Sequence, residues 1–430
     1  MDIMKNYLMD TYNRKNVSFT KGKGVYLWDT DDNKYLDALC GLAVTSLGHS
    51  DPDISYVISK QSETLIHTSN AFMIQQQEQL GEKLCKLSGM QSAFFCNSGA
   101  EAVEASIKIA RKYGNDKKIN NPKIIVMENS FHGRTMAALS ATGGGKAHKG
   151  FHPLLDGLLR VPYNDVDAIK ILSKKHKDIV AILLEPIQGE GGIIIPDRSY
   201  LKELRIICDK FKWLLMIDEV QSGFCRTGKW FGFQHSSIIP DVISVAKALG
   251  NGVPIGACLA SNDAAKVLVP GSHGSTFGGN FLSTSVGLEV LNIMKKKSLC
   301  KNARDMGVYL ESELNKKLAH LDIIKEIRCI GLMIGIEFND ISQTFSPIIS
   351  TLLSPMDNKL KGSITGFVGS IILNKYHILV GFTEYNRNVL RLHPPLITKC
   401  EHIDYFIDSF NEILVGGVVG IIKNFIKIKL

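Results

Sequence analysis

Between residues 93 and 245 the chain repeats one pattern: a short apolar run closed by polar or glycine-rich residues. The runs occupy 93–96, 124–127, 179–184, 214–217 and 242–245. Strands with one wet face alternate apolar and polar positions, whereas strands covered on both faces are apolar almost throughout. The runs therefore predict a mainly parallel α/β sheet with helices on both faces. Upstream, 17–19, 24–28 and 35–37 predict a small β-meander, with the turn residues Asp31-Asp32-Asn33 between the last two strands. Beyond residue 300 the pattern changes to a separate α+β lobe. It has a helix over 302–318, strands at 332–338 and 389–392, and a closing helix from about 401. The Ser/Pro/Thr-rich stretch 342–363 predicts a loop, and the apolar stretch 413–422 reads as a buried terminal helix.

At 430 residues the chain is long enough for two or three domains. Hydrophobic residues make up 45% and charged residues 21%, which is globular usage. No uninterrupted apolar run reaches the roughly 18–20 residues of a membrane span, so no membrane partner is expected. The net charge of +8 is spread over scattered lysines rather than a basic stripe with interleaved aromatics, which argues against nucleic acid. Nine cysteines, an odd number with no C-x-x-C pair, predict neither a metal site nor a disulfide framework. With no apolar signal core in residues 1–15, the expectation is a reduced, cytoplasmic setting.

In doubly covered parallel sheets, ligands sit beyond the carboxyl ends of the strands, so the residues following each run carry the candidate chemistry. After 93–96 comes Asn97-Ser98-Gly99-Ala100-Glu101, a capping box opening a helix. Such a helix end carries roughly half a positive charge and open amides, which suits a phosphate. After 124–127 come Phe131 and Arg134, able to stack on a flat ring and to clamp a carboxylate. After 179–184 comes the glycine-rich turn holding Glu185 and Glu190. After 214–217 comes Asp218, a strand-end acid that needs a cationic partner if buried. After 242–245 comes Lys247 among small apolar residues, where burial would free its amine as a nucleophile. Taken singly, each admits a plainer reading: an ordinary cap, a loop arginine, a solvated turn, a structural ion pair, a snorkelling lysine. Together they meet the needs of one ligand, the phosphorylated aromatic aldehyde pyridoxal 5′-phosphate (PLP). A phosphate loop at Thr142-Gly143-Gly144-Gly145-Lys146 fails, because Ser140 and Ala147 stand where the pattern needs Gly and Ser/Thr.

Several multi-residue landmarks occur in one order: Phe95-Cys96-Asn97-Ser98-Gly99-Ala100-Glu101-Ala102, Phe131-His132-Gly133-Arg134, Glu185-Pro186-Ile187-Gln188-Gly189-Glu190, Ile217-Asp218-Glu219-Val220-Gln221, Ala246-Lys247-Ala248-Leu249, Gly274-Ser275-Thr276-Phe277 and Leu390-Arg391-Leu392. On these the chain resembles class III PLP-dependent aminotransferases, closest to the acetylornithine type. The resemblance implies an aspartate-aminotransferase-like fold. It would comprise an N-terminal segment 1–43 packed with the small domain, a large PLP-binding domain 44–305 and a small domain 306–430. It implies that Lys247 bonds the cofactor aldehyde, Asp218 pairs with the ring nitrogen and Gln221 with the ring hydroxyl. Phe131 and Val220 would sandwich the ring, and Ser98, Gly99 and Ala100 would hold the phosphate, joined by Thr276 from a partner subunit in a homodimer. Arg134 and Arg391 would bind substrate carboxylates, with Glu190 gating Arg391. An apolar Leu42, near where ornithine enzymes carry a tyrosine, favours N-acetylornithine as donor to 2-oxoglutarate. Ornithine, 4-aminobutyrate or another ω-amine remain the other donors, and an inactive scaffold would have lost Lys247 or Asp218.

Overall fold

The computed structural model describes residues 7–339 and 364–429. In chain order its strands are β1 (Phe19–Lys23), β2 (Tyr26–Asp29), β3 (Lys34–Asp37), β4 (Ser92–Cys96), β5 (Lys123–Met127), β6 (Leu158–Val161), β7 (Ile179–Leu184), β8 (Leu214–Asp218), β9 (Val242–Val245), β10 (Gly256–Ala260), β11 (Ile324–Ile330), β12 (Met333–Phe338), β13 (Ile378–Leu379), β14 (Gly381–Phe382) and β15 (Val389–Leu392). They form three sheets.

The central sheet has the order β4-β10-β9-β8-β7-β5-β6. Neighbours from β9 to β6 pair in parallel, and β10 alone runs against β4 and β9. Along β8, Leu215 and Ile217 enter one hydrophobic cluster while Leu214 and Met216 enter another on the opposite face. That two-sided burial is why the run is apolar at every position. Helix Gly99–Asp116 crosses from β4 to β5 and buries Val103, Ile107, Ile109 and Ala110 against the second cluster. The carboxyl ends of β4, β5, β7, β8 and β9 thus open on one edge of the sheet.

A second sheet, β11-β12-β15-β14, is antiparallel and carries Arg391 on β15. The third, β1-β2-β3-β13, joins the N-terminal meander to β13 of the C-terminal region.

The differences from the sequence expectations have local causes. β1 lies at 19–23 rather than 17–19; it is almost wholly exposed, so no buried position marks its register. β6 and β10 were not expected. β6 is an edge strand carrying Arg160, and β10 is built largely of Gly and Ala. Helix Ile364–Tyr376 also went unpredicted, since apolar residues surround it and give no helical stripe. The loop expected over 342–363 lies outside the described residues. The single terminal helix expected across 413–422 is two: Cys400–Leu414 and Gly417–Lys429 meet at 103°. The break falls at Gly416-Gly417, where Gly417 has φ +56°. Val415 and Val419 there are exposed, while Ile421 and Phe425 are buried. Among the described residues no single helix is long and apolar enough to cross a membrane.

The expectation of no disulfide is overturned for one pair. Cys225, in the turn after β8, is bonded to Cys300 at the start of helix Leu299–Leu318, with Cα atoms 4.3 Å apart across 75 residues of sequence. Spacing along the chain carries no trace of that proximity. The other seven cysteines are free thiols.

Candidate active site

At the carboxyl edge of the central sheet lies a cavity of about 410 Å³. Nine of the twelve residues singled out from sequence line it: Ser98, Gly99, Ala100, Phe131, Arg134, Asp218, Val220, Gln221 and Lys247. Four loops deliver them, those that follow β4, β5, β8 and β9.

The helix end after β4 forms one wall. Ser98 Oγ accepts from the Glu101 amide (3.2 Å) and donates to Glu101 Oε2 (2.9 Å). Glu101 also accepts from the Asn97 amide at 2.8 Å, so its carboxylate is held back from the cavity. The amides of Gly99 and Ala100, in the first helical turn, have no intrahelical acceptor and stand at the cavity wall. Glycine is required at 99, where an added Cβ would stand 2.7 Å from Val220 Cγ1. The backbone of the helix end is therefore packed directly against the Val220 side chain.

Asp218 ends β8 and is 4% exposed. Its Oδ2 lies 2.8 Å from His132 Nδ1, and its Oδ1 accepts from the Val220 amide at 3.0 Å. The partner of this buried acid is thus an imidazole rather than a lysine or arginine, delivered by the loop after β5. The His132 amide donates to Thr142 Oγ1 at 2.9 Å, which fixes the loop's path.

Lys247 follows β9 in a single 3₁₀ turn with φ +43°. Burial lowers its pKa, and the guanidinium of Arg391 lowers it further, against the raising influence of Glu190, Asp218 and Glu185. A neutral amine is thereby favoured at a strand end. Beneath the cavity Glu185 is buried and accepts from the amides of Phe131 (2.9 Å) and Gly189 (3.0 Å). Burial pushes its carboxyl up to about 7. Gln221 Oε1 is buried with no partner among the described residues, beside Gly189, where a Cβ would meet it.

Of the remaining three, Glu190 and Arg391 lie just outside the cavity lining and form an ion pair with each other. Arg391 is 2% exposed. Thr276 is exposed and the chain's own fold does not bring it to the cavity. Arg134 sits with its guanidinium 4.5 Å from the Phe131 ring centre and binds Glu384 through Nη2 at 2.8 and 3.0 Å.

Residues 9–414 match the aminotransferase class-III family. The chain belongs to that family. The enzyme is 53% identical to the acetylornithine aminotransferase of Nitrosomonas europaea over 77% of this chain and 84% of that one. It is 42% identical to the acetylornithine aminotransferase of Caldanaerobacter subterraneus over 95% and 98% of the two chains. Among solved structures it resembles the ornithine aminotransferase of Toxoplasma gondii whose structure revealed partial PLP occupancy at the active site. That match has a TM-score of 0.84 and 30% identity over 99% and 94% of the two chains.

In this aminotransferase, sequence reasoning missed His132, Glu185 and Glu384 as site residues. His132 had a signal, being the neighbour of Phe131 and the nearest titratable partner for a buried Asp218. Glu185 was noted only as a turn residue. Glu384 had no signal, because it reaches Arg134 from 250 residues away. Among the described residues no group of three or more His, Cys, Asp and Glu side chains is arranged to hold a metal ion.

Proposed function

We propose that the enzyme transfers the ω-amino group of N2-acetylornithine to 2-oxoglutarate, giving N-acetylglutamate 5-semialdehyde and glutamate, a step of arginine biosynthesis. The cofactor is PLP. The observation that carries this reading is one cavity joining Lys247, the buried carboxylate of Asp218, a helix N-terminus and Arg134. The two relatives named acetylornithine aminotransferase, at 53% and 42% identity, support the donor.

When bound, PLP supplies an aldehyde that bonds amines and a protonated ring that takes up an electron pair. The protein's residues do the rest. Lys247 Nζ, whose pKa is lowered, would hold the aldehyde and, once displaced by the donor amine, would move the proton taken from the donor carbon. Asp218, braced by His132 and the Val220 amide, would face the ring nitrogen and favour its protonated form. Phe131 and Val220 would flank the ring, and Gln221, whose Oε1 is unpartnered among the described residues, would bond its hydroxyl group. Ser98 and the amides of Gly99 and Ala100 seat the phosphate. Arg134 holds the donor carboxylate while Glu190 covers Arg391; a dicarboxylate acceptor takes both arginines.

The working unit is a homodimer in which Thr276 completes the partner's phosphate seat. The exposure of Thr276 and of its neighbour Phe277, 62% exposed, accords with that. The division into 1–43, 44–305 and 306–430 accords with the β3–β13 pairing and with the separate antiparallel sheet. A cytoplasmic setting accords with polar substrates and seven free thiols.

The test is glutamate formation from 2-oxoglutarate with each candidate donor. N-Acetylornithine should exceed ornithine and 4-aminobutyrate in kcat/KM by at least about tenfold, the worth of one buried contact. A preference for ornithine would transfer the assignment to the δ-amine reaction.

A further inference from the structure

Both arginines of the substrate site are covered by carboxylates of the chain itself, and the two covers are tied together. Arg391 is paired with Glu190. Arg134 is paired with both oxygens of Glu384, at 2.8 and 3.0 Å. Glu384 lies in the hairpin between β14 and β15, the strand that carries Arg391. Its backbone amide donates to Glu190 Oε2 at 3.1 Å, and the Tyr385 amide donates to the Glu190 carbonyl at 3.1 Å. Tyr385 is wedged against Gly144, where an added Cβ would come 2.0 Å from its ring. The hairpin is therefore packed on the Glu190 turn and on Gly144, with Glu384 its only carboxylate side chain and paired with Arg134, which lines the cavity.

We infer that Glu384 is a specificity-determining counter-ion that substrates must displace from Arg134, and that its amide couples this displacement to the position of Glu190. The inference rests on Arg134 and Arg391 being the carboxylate anchors proposed above. A donor with one carboxylate displaces only the Glu384 side chain, the hairpin and its amide staying in place, and so leaves Glu190 over Arg391. A dicarboxylate brings two negative charges and displaces both covers. Because Glu190 Oε2 is held by the Glu384 amide, a shift of the hairpin loosens Glu190 as well. The site thus rests charge-neutral and opens in proportion to the carboxylates presented. Arg134 and Glu384 are 52% and 34% exposed at their side chains, so water screens the pair and displacement is easy.

The experiment is calorimetric titration of the holoenzyme and the cofactor-free protein with glutarate, a dicarboxylate that cannot be transaminated. Glu384→Gln keeps the backbone bond and removes the competing charge. It should tighten glutarate binding about two- to fivefold, as expected for loss of one screened ion pair. The KM for 2-oxoglutarate and for the carboxylate-bearing donor should fall by the same factor, with kcat nearly unchanged. Glu384→Ala should act in the same direction. A purely structural role would weaken binding or lower kcat instead. Unchanged or weaker glutarate binding in both variants would overturn the inference. If the parent protein itself bound no glutarate and formed no glutamate, the proposed function would be what failed.

Discussion

At the level of single residues the site depends on charges placed where water cannot reach. Asp218 ends a strand buried on both faces, and a carboxylate there costs several kcal/mol unless hydrogen-bonded. His132 and the Val220 amide provide those bonds. Replacing His132 with Ala removes one side of a buried pair. It should lower unfolding free energy in urea by about 1–3 kcal/mol. Asp218→Asn should leave the fold intact and reduce kcat by about a hundredfold or more, as the role proposed for Asp218 opposite the ring nitrogen requires. Glu185 gives a pH signature. Its folded carboxyl titrates at about 7, against about 4.3 when unfolded. Between those values the folded protein binds the extra proton, so stability declines as pH rises through the window. Glu219, also raised to about 7 by burial, contributes in the same range. Thermal melts from pH 4.5 to 7 should therefore show less decline for Glu185→Gln than for the parent, the opposing contribution of buried His393 being common to both. An equal decline would remove Glu185 from that role.

Among the elements, the helix Gly99–Asp116 and the hairpin after β14 matter most. The first brings its amide end against Val220 only because residue 99 lacks a side chain. Gly99→Ala should push the two apart and weaken PLP affinity at least about tenfold in a spectroscopic titration, while the far-ultraviolet circular dichroism stays that of the parent. The Cys225–Cys300 disulfide ties the turn after β8 to the helix Leu299–Leu318. Closing a 75-residue loop restricts the unfolded chain. Cys300→Ser should accordingly lower stability by about 2–4 kcal/mol in denaturant, as should dithiothreitol on the parent. No change with either would mean that the bond does not constrain the protein in solution.

Whole-molecule organisation was legible where physics leaves a local mark. The five apolar runs predicted β4, β5, β7, β8 and β9; in β5, β7, β8 and β9 two-sided burial makes nearly every position apolar, while the edge strand β4 is only partly buried. The residues after them predicted the cavity because strand ends are where such sheets bind ligands. β10 left no mark: Gly256 is small because a Cβ would lie 2.4 Å from the Ser98 carbonyl, a constraint set by a distant segment. The disulfide and the Arg134–Glu384 pair are likewise products of packing, joining residues 75 and 250 positions apart. The bend at Gly416-Gly417 could have been read from the glycine pair, but the apolar residues flanking it on both sides resembled one continuous helix. At this scale a homodimer sharing Thr276 should sediment at twice the mass of the 430-residue chain. Thr276→Ala should weaken PLP binding although residue 276 lies outside its own chain's cavity.

The central claim is that the amine of Lys247 bonds the cofactor aldehyde. Borohydride reduction of the holoenzyme, followed by proteolysis and mass spectrometry, tests it directly. The account predicts the phosphopyridoxyl mass on the peptide containing Lys247 and on no other lysine. Its attachment elsewhere, or an undiminished glutamate yield from Lys247→Ala, would contradict the account.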